Sequence, residues 1–144
     1  MASLELQGFE ELSTSLQRFA EIPDQTLEEM VVGMAEVGMP KIKAKGETLG
    51  VRDPLSDEHI LDKLKIGKFK KTQTGGYVDV TFSGSRTRNG RRTRNAEIAF
   101  VNEYGKRSQR ARPFIGLAMS ENEDAITAPA EAVFDEWADQ IFND

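Results

Sequence analysis

Thirteen consecutive residues near the middle of the chain, SGSRTRNGRRTRN at positions 83–95, contain no apolar side chain. Such a stretch has nothing to bury, so it has to lie outside any hydrophobic core. Asn89 and Gly90 stand at its centre, and an Asn-Gly pair favours the positive φ angles of a tight hairpin turn. The stretch therefore predicts a basic hairpin or loop that projects from the body of the fold.

The segments on either side of this stretch alternate between apolar and polar residues. YVDVTF at 77–82 precedes it, and AEIAFVNEY at 96–104 follows it. A period of two is typical of β-strands, so we expect two neighbouring strands here. An earlier strand is expected to begin near Leu64, after residues that are ambiguous between a helical turn and a strand.

Helical periodicity occurs toward both ends of the chain. Apolar residues three and four positions apart predict a short helix over 8–20, a longer one after Pro23 that Pro40 should end or kink, and a C-terminal helix beyond Pro113. We therefore expect an α+β fold. A small antiparallel sheet would pack against the long helix of the N-terminal half and the C-terminal helix.

The length of 144 residues fits a single domain, residues 1–144, with a core of its own. The chain has no cysteine, which excludes disulfides and thiolate zinc sites. No apolar run approaches the roughly 20 residues that cross a bilayer, and the N-terminus lacks the pattern of a signal peptide. We therefore expect a soluble intracellular protein that does not contact membranes.

The charges are segregated along the chain, although the net charge is only −5. Residues 85–112 carry nine basic and two acidic residues, whereas residues 113–144 carry eight acidic residues and no basic one. Residues 1–39 are also acidic, with a net charge of −7. Two arrangements fit this division: copies of the chain meet head to tail, or the acidic helices fold back over the basic middle of the same chain.

Recognisable catalytic motifs are absent from the sequence. The single histidine, His59, cannot form a two-histidine metal site, and no GxSxG, GxGxxG or GxxxxGK[ST] motif occurs. The acidic residues are distributed as expected for solvated helix faces. We therefore expect a protein that is not an enzyme, with no metal, cofactor or small-molecule substrate.

The basic middle of the chain offers two groups of candidate interface residues. The first lies in the polar stretch and comprises Arg86, Arg88, Arg91, Arg92 and Arg94. The second follows Gly105 and comprises Lys106, Arg107 and Arg110. Arginines in the first group fit three roles: docking onto a subunit or partner, keeping an exposed arm soluble, or neutralising DNA phosphates. No aromatic residues are interleaved for stacking on bases.

A sequence motif flanks the second basic group. It consists of Glu103, Tyr104 and Gly105 before the loop, and of Arg112, Pro113 and Phe114 after it. Gly105 permits a sharp turn with positive φ. Pro113 suits the first turn of a helix, Phe114 can enter the core, and Arg112 could form an ion pair with Glu103 across the turn. The motif is therefore interpreted as a structural corner that joins the sheet to a helix and displays a basic loop, rather than as a ligand site.

The segment AEIAFVNEYGKRSQRARPFIGLAM resembles the signature of a bacteriophage tail-component family, found at the head–tail neck of long-tailed phages. In that family a strand that ends in an acidic residue, an aromatic and a glycine precedes a short polar loop. An Ala-Arg-Pro-Phe-type motif and a C-terminal helix then follow. Family members commonly have threonine after the glycine, where this chain has Lys106. The resemblance covers most of the chain, although only residues 96–118 carry a specific motif.

The resemblance implies a structural virion or prophage protein of the head–tail junction, which resides in the host cytoplasm during assembly. It would complete the neck or tail as a ring, with other copies of itself and neighbouring neck, connector or tail proteins as partners, and possible contact with translocating phage DNA. Tail-terminator, neck and head-closure roles all fit. The alternative is a small nucleic-acid-binding module that acts through residues 86–94.

Overall fold

The computed structural model describes residues 21–52 and 57–143, and it confirms the α+β class. Four α-helices account for most of the described residues: α1 (Asp24–Thr48), α2 (Asn95–Tyr104), α3 (Phe114–Glu121) and α4 (Glu123–Asn143). The strands are short: β1 (Leu64–Ile66), β2 (Lys70–Lys71), β3 (Gly76–Tyr77), β4 (Val80–Phe82), β5 (Ser85–Arg88) and β6 (Arg91–Arg94). The helix predicted over residues 8–20 lies outside the described residues.

Helix α1 is the central element of the fold. It begins after Pro23, as predicted, and it packs along α4, α3, β1 and β3. It continues through Pro40 to Thr48, so of the two predicted effects of Pro40, an end or a kink, the end does not occur. A proline removes one backbone hydrogen bond, but packing against α3 and α4 supports the helix on both sides of this position.

The β-structure is divided into three antiparallel pairs. Strand β1 pairs with β4, β2 pairs with β3, and β5 pairs with β6. The prediction that residues 77–82 form one continuous strand is wrong, because β3 and β4 pair with different partners. The ambiguous segment near Leu64 contains both alternatives: a 3₁₀ turn over Ile60–Lys63 leads directly into β1.

The segment AEIAFVNEY is helical, so the prediction of a strand at 96–104 is wrong. It forms nearly all of α2, and the residues that face the core are Asn95, Ala99 and Asn102. Their spacing of four and three residues is that of a helix face, whereas the alternation of Ala96, Ile98 and Phe100 is coincidental. Phe100 is 62% exposed, because the helix turns it away from the core.

The core lies between α1, the 3₁₀ turn, α2 and α3. Phe114, Ile60 and Leu61 are its largest fully buried side chains. The ring of Phe114 lies edge-on to that of Phe82, with 5.9 Å between the ring centroids. Gly46 of α1 faces this cluster: a Cβ there would lie 2.5 Å from Leu61 Cδ2 and 3.2 Å from Phe114 Cδ2. Helix α1 therefore approaches the core closely only because residue 46 has no side chain.

Strands β5 and β6 form the hairpin that the polar stretch predicts. Asn89 and Gly90 have φ angles of 53° and 76°, which confirms the predicted turn. Apart from its own pairing, the hairpin packs mainly through β6 on α2. No helix among the described residues is long and apolar enough to cross a membrane.

Candidate functional site

The corner motif is built around the carboxylate of Glu103. Its Oε2 accepts a hydrogen bond from the backbone N–H of Ile115 at 2.8 Å, and its Oε1 accepts one from Gly116 at 2.9 Å. These amides lie in the first turn of α3, where backbone donors lack partners within the helix. The negative charge also suits the positive end of the helix dipole. Glu103 at the end of α2 therefore caps α3 and fixes the two helices relative to each other.

Arg112 does not pair with Glu103, so that prediction is wrong. The Arg112 guanidinium donates from Nη1 to the carbonyl of Gly50 at 2.8 Å, just beyond the C-terminal end of α1. Its backbone N–H donates to the carbonyl of Asn102 at 2.6 Å. The carboxylate of Glu103 already accepts two hydrogen bonds from α3. The Arg112 cation is instead stabilised beside the free backbone carbonyls at the C-terminal end of α1. Arg112 therefore ties the corner to α1.

Phe114 is buried and Gly105 has a positive φ, as predicted, but the corner joins two helices, so the prediction that it joins the sheet to a helix is wrong. Gly105 ends α2 with φ 77° and ψ 177°, and a Cβ there would lie 2.8 Å from the backbone nitrogen of Ala111. Phe114 is 0% exposed. Pro113 is the N-cap of α3, one position before the predicted first turn. Tyr104 is 70% exposed and lies against Phe100, with 4.8 Å between their ring centroids.

The loop between Gly105 and the start of α3 is held in one shape by paired hydrogen bonds. Lys106 and Gln109 exchange both backbone hydrogen bonds, at 2.9 and 3.0 Å. The Gln109 side chain donates to Asn102 Oδ1 at 3.2 Å. Lys106, Arg107 and Arg110 are exposed on this frame, as the corner interpretation predicted.

The hairpin is anchored at its base by Asn95, which is only 3% exposed. Its backbone N–H donates to the carbonyl of Gly84 at 3.0 Å, and its side-chain amide donates to that of Ser83 at 2.7 Å. Arg86 donates from Nε to Asn95 Oδ1 at 3.5 Å. Asn95 and Asn102 are not among the candidate residues that the sequence patterns indicated. Their separation of seven residues around Ala99 was the available signal, because it places all three on one helix face.

A cationic cleft lies where the hairpin, α2 and the basic loop meet. Its volume is about 770 Å³. Among the predicted interface residues it brings together Arg86 and Lys106, and it adds Arg112 of the corner and Arg52. Its remaining lining is uncharged and contains no aromatic residue. Arg91, Arg92, Arg94, Arg107 and Arg110 are exposed but are not part of its lining, and Arg88 belongs to β5.

The cations of the cleft differ in how far they are neutralised. Arg52 lies 3.4 Å from a carboxylate oxygen of Glu47 and 4.0 Å from one of Asp62. Arg86 and Arg112 instead donate to a neutral amide and a backbone carbonyl. Within residues 21–52 and 57–143, none of Arg86, Lys106 and Arg112 forms an ion pair. The cleft therefore presents uncompensated positive charge.

Helix α4 carries the opposite charge on its exposed side. Glu131, Asp135 and Asp139 are exposed and four residues apart, which places them on one face. No carboxylate of α4 forms an ion pair with any other described residue. The helix packs along α1 and, to a lesser extent, on α3, so its main packing is not on the basic hairpin.

No group of three or more potential metal-ligating side chains occurs among the described residues. Nδ1 of His59 is buried without a hydrogen-bond partner among the described residues. A hydrogen bond from the Lys43 ammonium, at 3.1 Å, lowers the pKa of Asp62 below its usual 3.8, and the charge of nearby Arg52 contributes.

An exposed apolar groove lies beside the corner, lined by Phe82, Ala99, Phe100 and Tyr104 together with Ile115.

Comparison with known proteins assigns no family to the chain: no family model, no curated protein and no solved structure matches it.

Proposed function

We propose that the chain is a structural protein of a bacteriophage or prophage head–tail junction, which completes the neck or tail as a ring of identical subunits. The resemblance of residues 96–118 supplies the class of protein. The observation that carries the proposal is the spatial separation of charge: the cationic cleft and hairpin lie on one part of the molecule, and the acidic face of α4 lies on another.

This separation supports assembly, because complementary fields on two different surfaces orient neighbouring copies head to tail. A contact between two different surfaces is heterologous, and it closes into a ring when the rotation from one copy to the next is a whole fraction of a full turn. The contacts of the corner motif hold the fold together. Glu103 caps α3, Arg112 binds the end of α1 and Phe114 fills the core.

The hairpin provides the test at the level of the particle. Arg91 and Arg92 are exposed on β6, so replacing both with serine should change folding stability by less than about 0.5 kcal/mol. We expect the variant to fold normally and to leave heads and tails unjoined in electron micrographs of the producing cells. The matched control is Lys65→Ser/Lys68→Ser, which removes the same charge from exposed positions elsewhere and should allow completion.

The nucleic-acid-binding alternative rests on the five arginines of residues 86–94. It predicts that the parent binds duplex DNA with an affinity that falls steeply with salt. Arg91→Ser/Arg92→Ser would then reduce the salt slope by about two units. We expect weak binding or none near physiological salt, because the chain is acidic overall and the cleft has no aromatic residue. Tight binding that this variant abolishes, together with normal particle completion, would replace the structural proposal with this alternative.

A further inference from the structure

We infer that the cationic cleft of one copy binds the acidic stripe of α4 from a second copy, where the acidic stripe is Glu131, Asp135 and Asp139. This inference rests on the proposed function, because it assigns the surfaces through which the ring would form. It follows from two surfaces of opposite charge that do not meet within the described part of one chain.

The cleft is preorganised for carboxylates. The Arg112 guanidinium is fixed by the carbonyl of Gly50, and Arg86 is oriented by the side-chain oxygen of Asn95. Both contacts are to neutral acceptors, so they orient the guanidinium groups while leaving their charge available. Lys106 lies in the same lining at the start of the hydrogen-bonded turn. Carboxylates that enter the cleft would form charge-assisted hydrogen bonds with donors that are already ordered.

The acidic stripe has no ion-pair partner among the described residues. Like charges four residues apart on a helix repel each other and destabilise it. The chain has no basic residue after Arg112, so α4 cannot relieve this repulsion from its own sequence. At 1.5 Å per residue, the stripe extends for about 12 Å along the helix. A helix with side chains is about 10–12 Å wide, so α4 would lie across the mouth of a 770 Å³ cleft and insert only its carboxylates.

The geometry indicates that the cleft binds α4 of a second copy rather than α4 of its own chain. Helix α4 packs along α1, whereas the cleft is formed by the hairpin, α2 and the basic loop. A contact from the cleft of one copy to α4 of the next leaves one free cleft and one free stripe at the two ends of the pair. Such a contact propagates, as ring formation requires.

Reversal of charge on each surface tests the contact in the full chain. Arg86→Glu/Lys106→Glu cancels the positive charge of the cleft, because only Arg52 and Arg112 remain as cations, and Asp135→Lys/Asp139→Lys makes the stripe basic. We expect each variant alone to weaken self-association at least tenfold in sedimentation velocity, and an equimolar mixture of the two to restore it. Restoration also shows that both variants fold. The matched control is Lys65→Glu/Lys68→Glu, which should self-associate like the parent.

Cysteine cross-linking locates the contact, because the chain has no native cysteine. Lys106→Cys/Asp135→Cys should form disulfide-linked oligomers under mild oxidation, whereas Lys68→Cys/Asp135→Cys should form no disulfide-linked oligomers on a denaturing gel. Three results would overturn the inference: a parent that stays monomeric up to about 1 mM, charge reversals that leave self-association unchanged, or cleft-dependent binding of duplex DNA in its place.

The two proposals fail in different ways. If the reversals act as expected on self-association but the cleft variant still completes particles, the contact is real and the neck function is wrong. If the reversals leave self-association unchanged while Arg91→Ser/Arg92→Ser blocks completion, the neck function stands and the assigned contact is wrong.

Discussion

Truncation of Phe114 to alanine tests whether the corner motif is a structural element. The ring is 0% exposed and packs edge-on against Phe82 at 5.9 Å. Removing a buried phenylalanine side chain costs about 3–5 kcal/mol, because burial of its apolar surface is lost and a cavity is left. The lost contact between the rings accounts for about 0.5–1.5 kcal/mol of this. A domain stable by about 5–15 kcal/mol would lose a large share of its stability.

The change should be measured by urea and thermal unfolding. We expect a lower urea midpoint with an unchanged slope, since the amount of surface exposed on unfolding stays the same. For a domain of this size, each kcal/mol shifts the melting temperature by about 2–4 °C, which gives a total decrease of about 6–20 °C.

Phe100→Ala is the matched control, because it makes the same change at a side chain that is 62% exposed. Its main ring contact is with Tyr104, so we expect a loss of about 1 kcal/mol or less. If Phe114→Ala melted like the parent while particles failed to form, Phe114 would be an interface residue. The interpretation of the corner as structural would then be refuted.

The remaining predictions concern local features of the fold. Gly46→Ala should destabilise the protein, because the new Cβ would lie 2.5 Å from Leu61 Cδ2 in the core. Gly38→Ala should stabilise it by about 0.5–1 kcal/mol, because the nearest atom to its new Cβ is 3.8 Å away and alanine favours a helix. Equal shifts of the melting temperature in the two variants would contradict this. Glu103→Ala should cost about 1–3 kcal/mol in urea unfolding, since two amides of α3 lose their acceptor, and an unchanged midpoint would refute the cap. Amides of residues 85–94 should exchange hydrogen faster than those of α1, because the hairpin contributes no apolar side chain to the core; equal protection would contradict this. The carboxyl of Asp62 should titrate below 3.8 by NMR, so the stability from its lysine partner is present above that pH and is lost as the pH falls through the lowered pKa.

Local sequence was sufficient where a single residue type dictates the backbone. Asn89 and Gly90 predicted the hairpin turn, and Gly105 predicted a positive φ, because few other residues adopt these angles without strain. The lack of apolar side chains in residues 83–94 predicted that the hairpin lies outside the core, whereas Asn95, the last polar residue of the stretch, is buried at its base. The burial of Phe114 followed from its position after Pro113, in a segment of apolar residues.

Only the tertiary structure decided the conformation of residues 95–104 and the contacts of the corner. The short apolar segment fits both a period of two and a helix face, and its helical form depends on packing of Ala99 against the core. The sequence could not predict the partners of Glu103 and Arg112 either. Each charged side chain can pair with another side chain or with a helix end, and folding decides which of these lies close to it. The cationic cleft combines residues from positions 52, 86, 106 and 112. Sequence by itself determined which of these carry charge, but their approach to one another depends on contacts between distant segments, which local patterns do not encode.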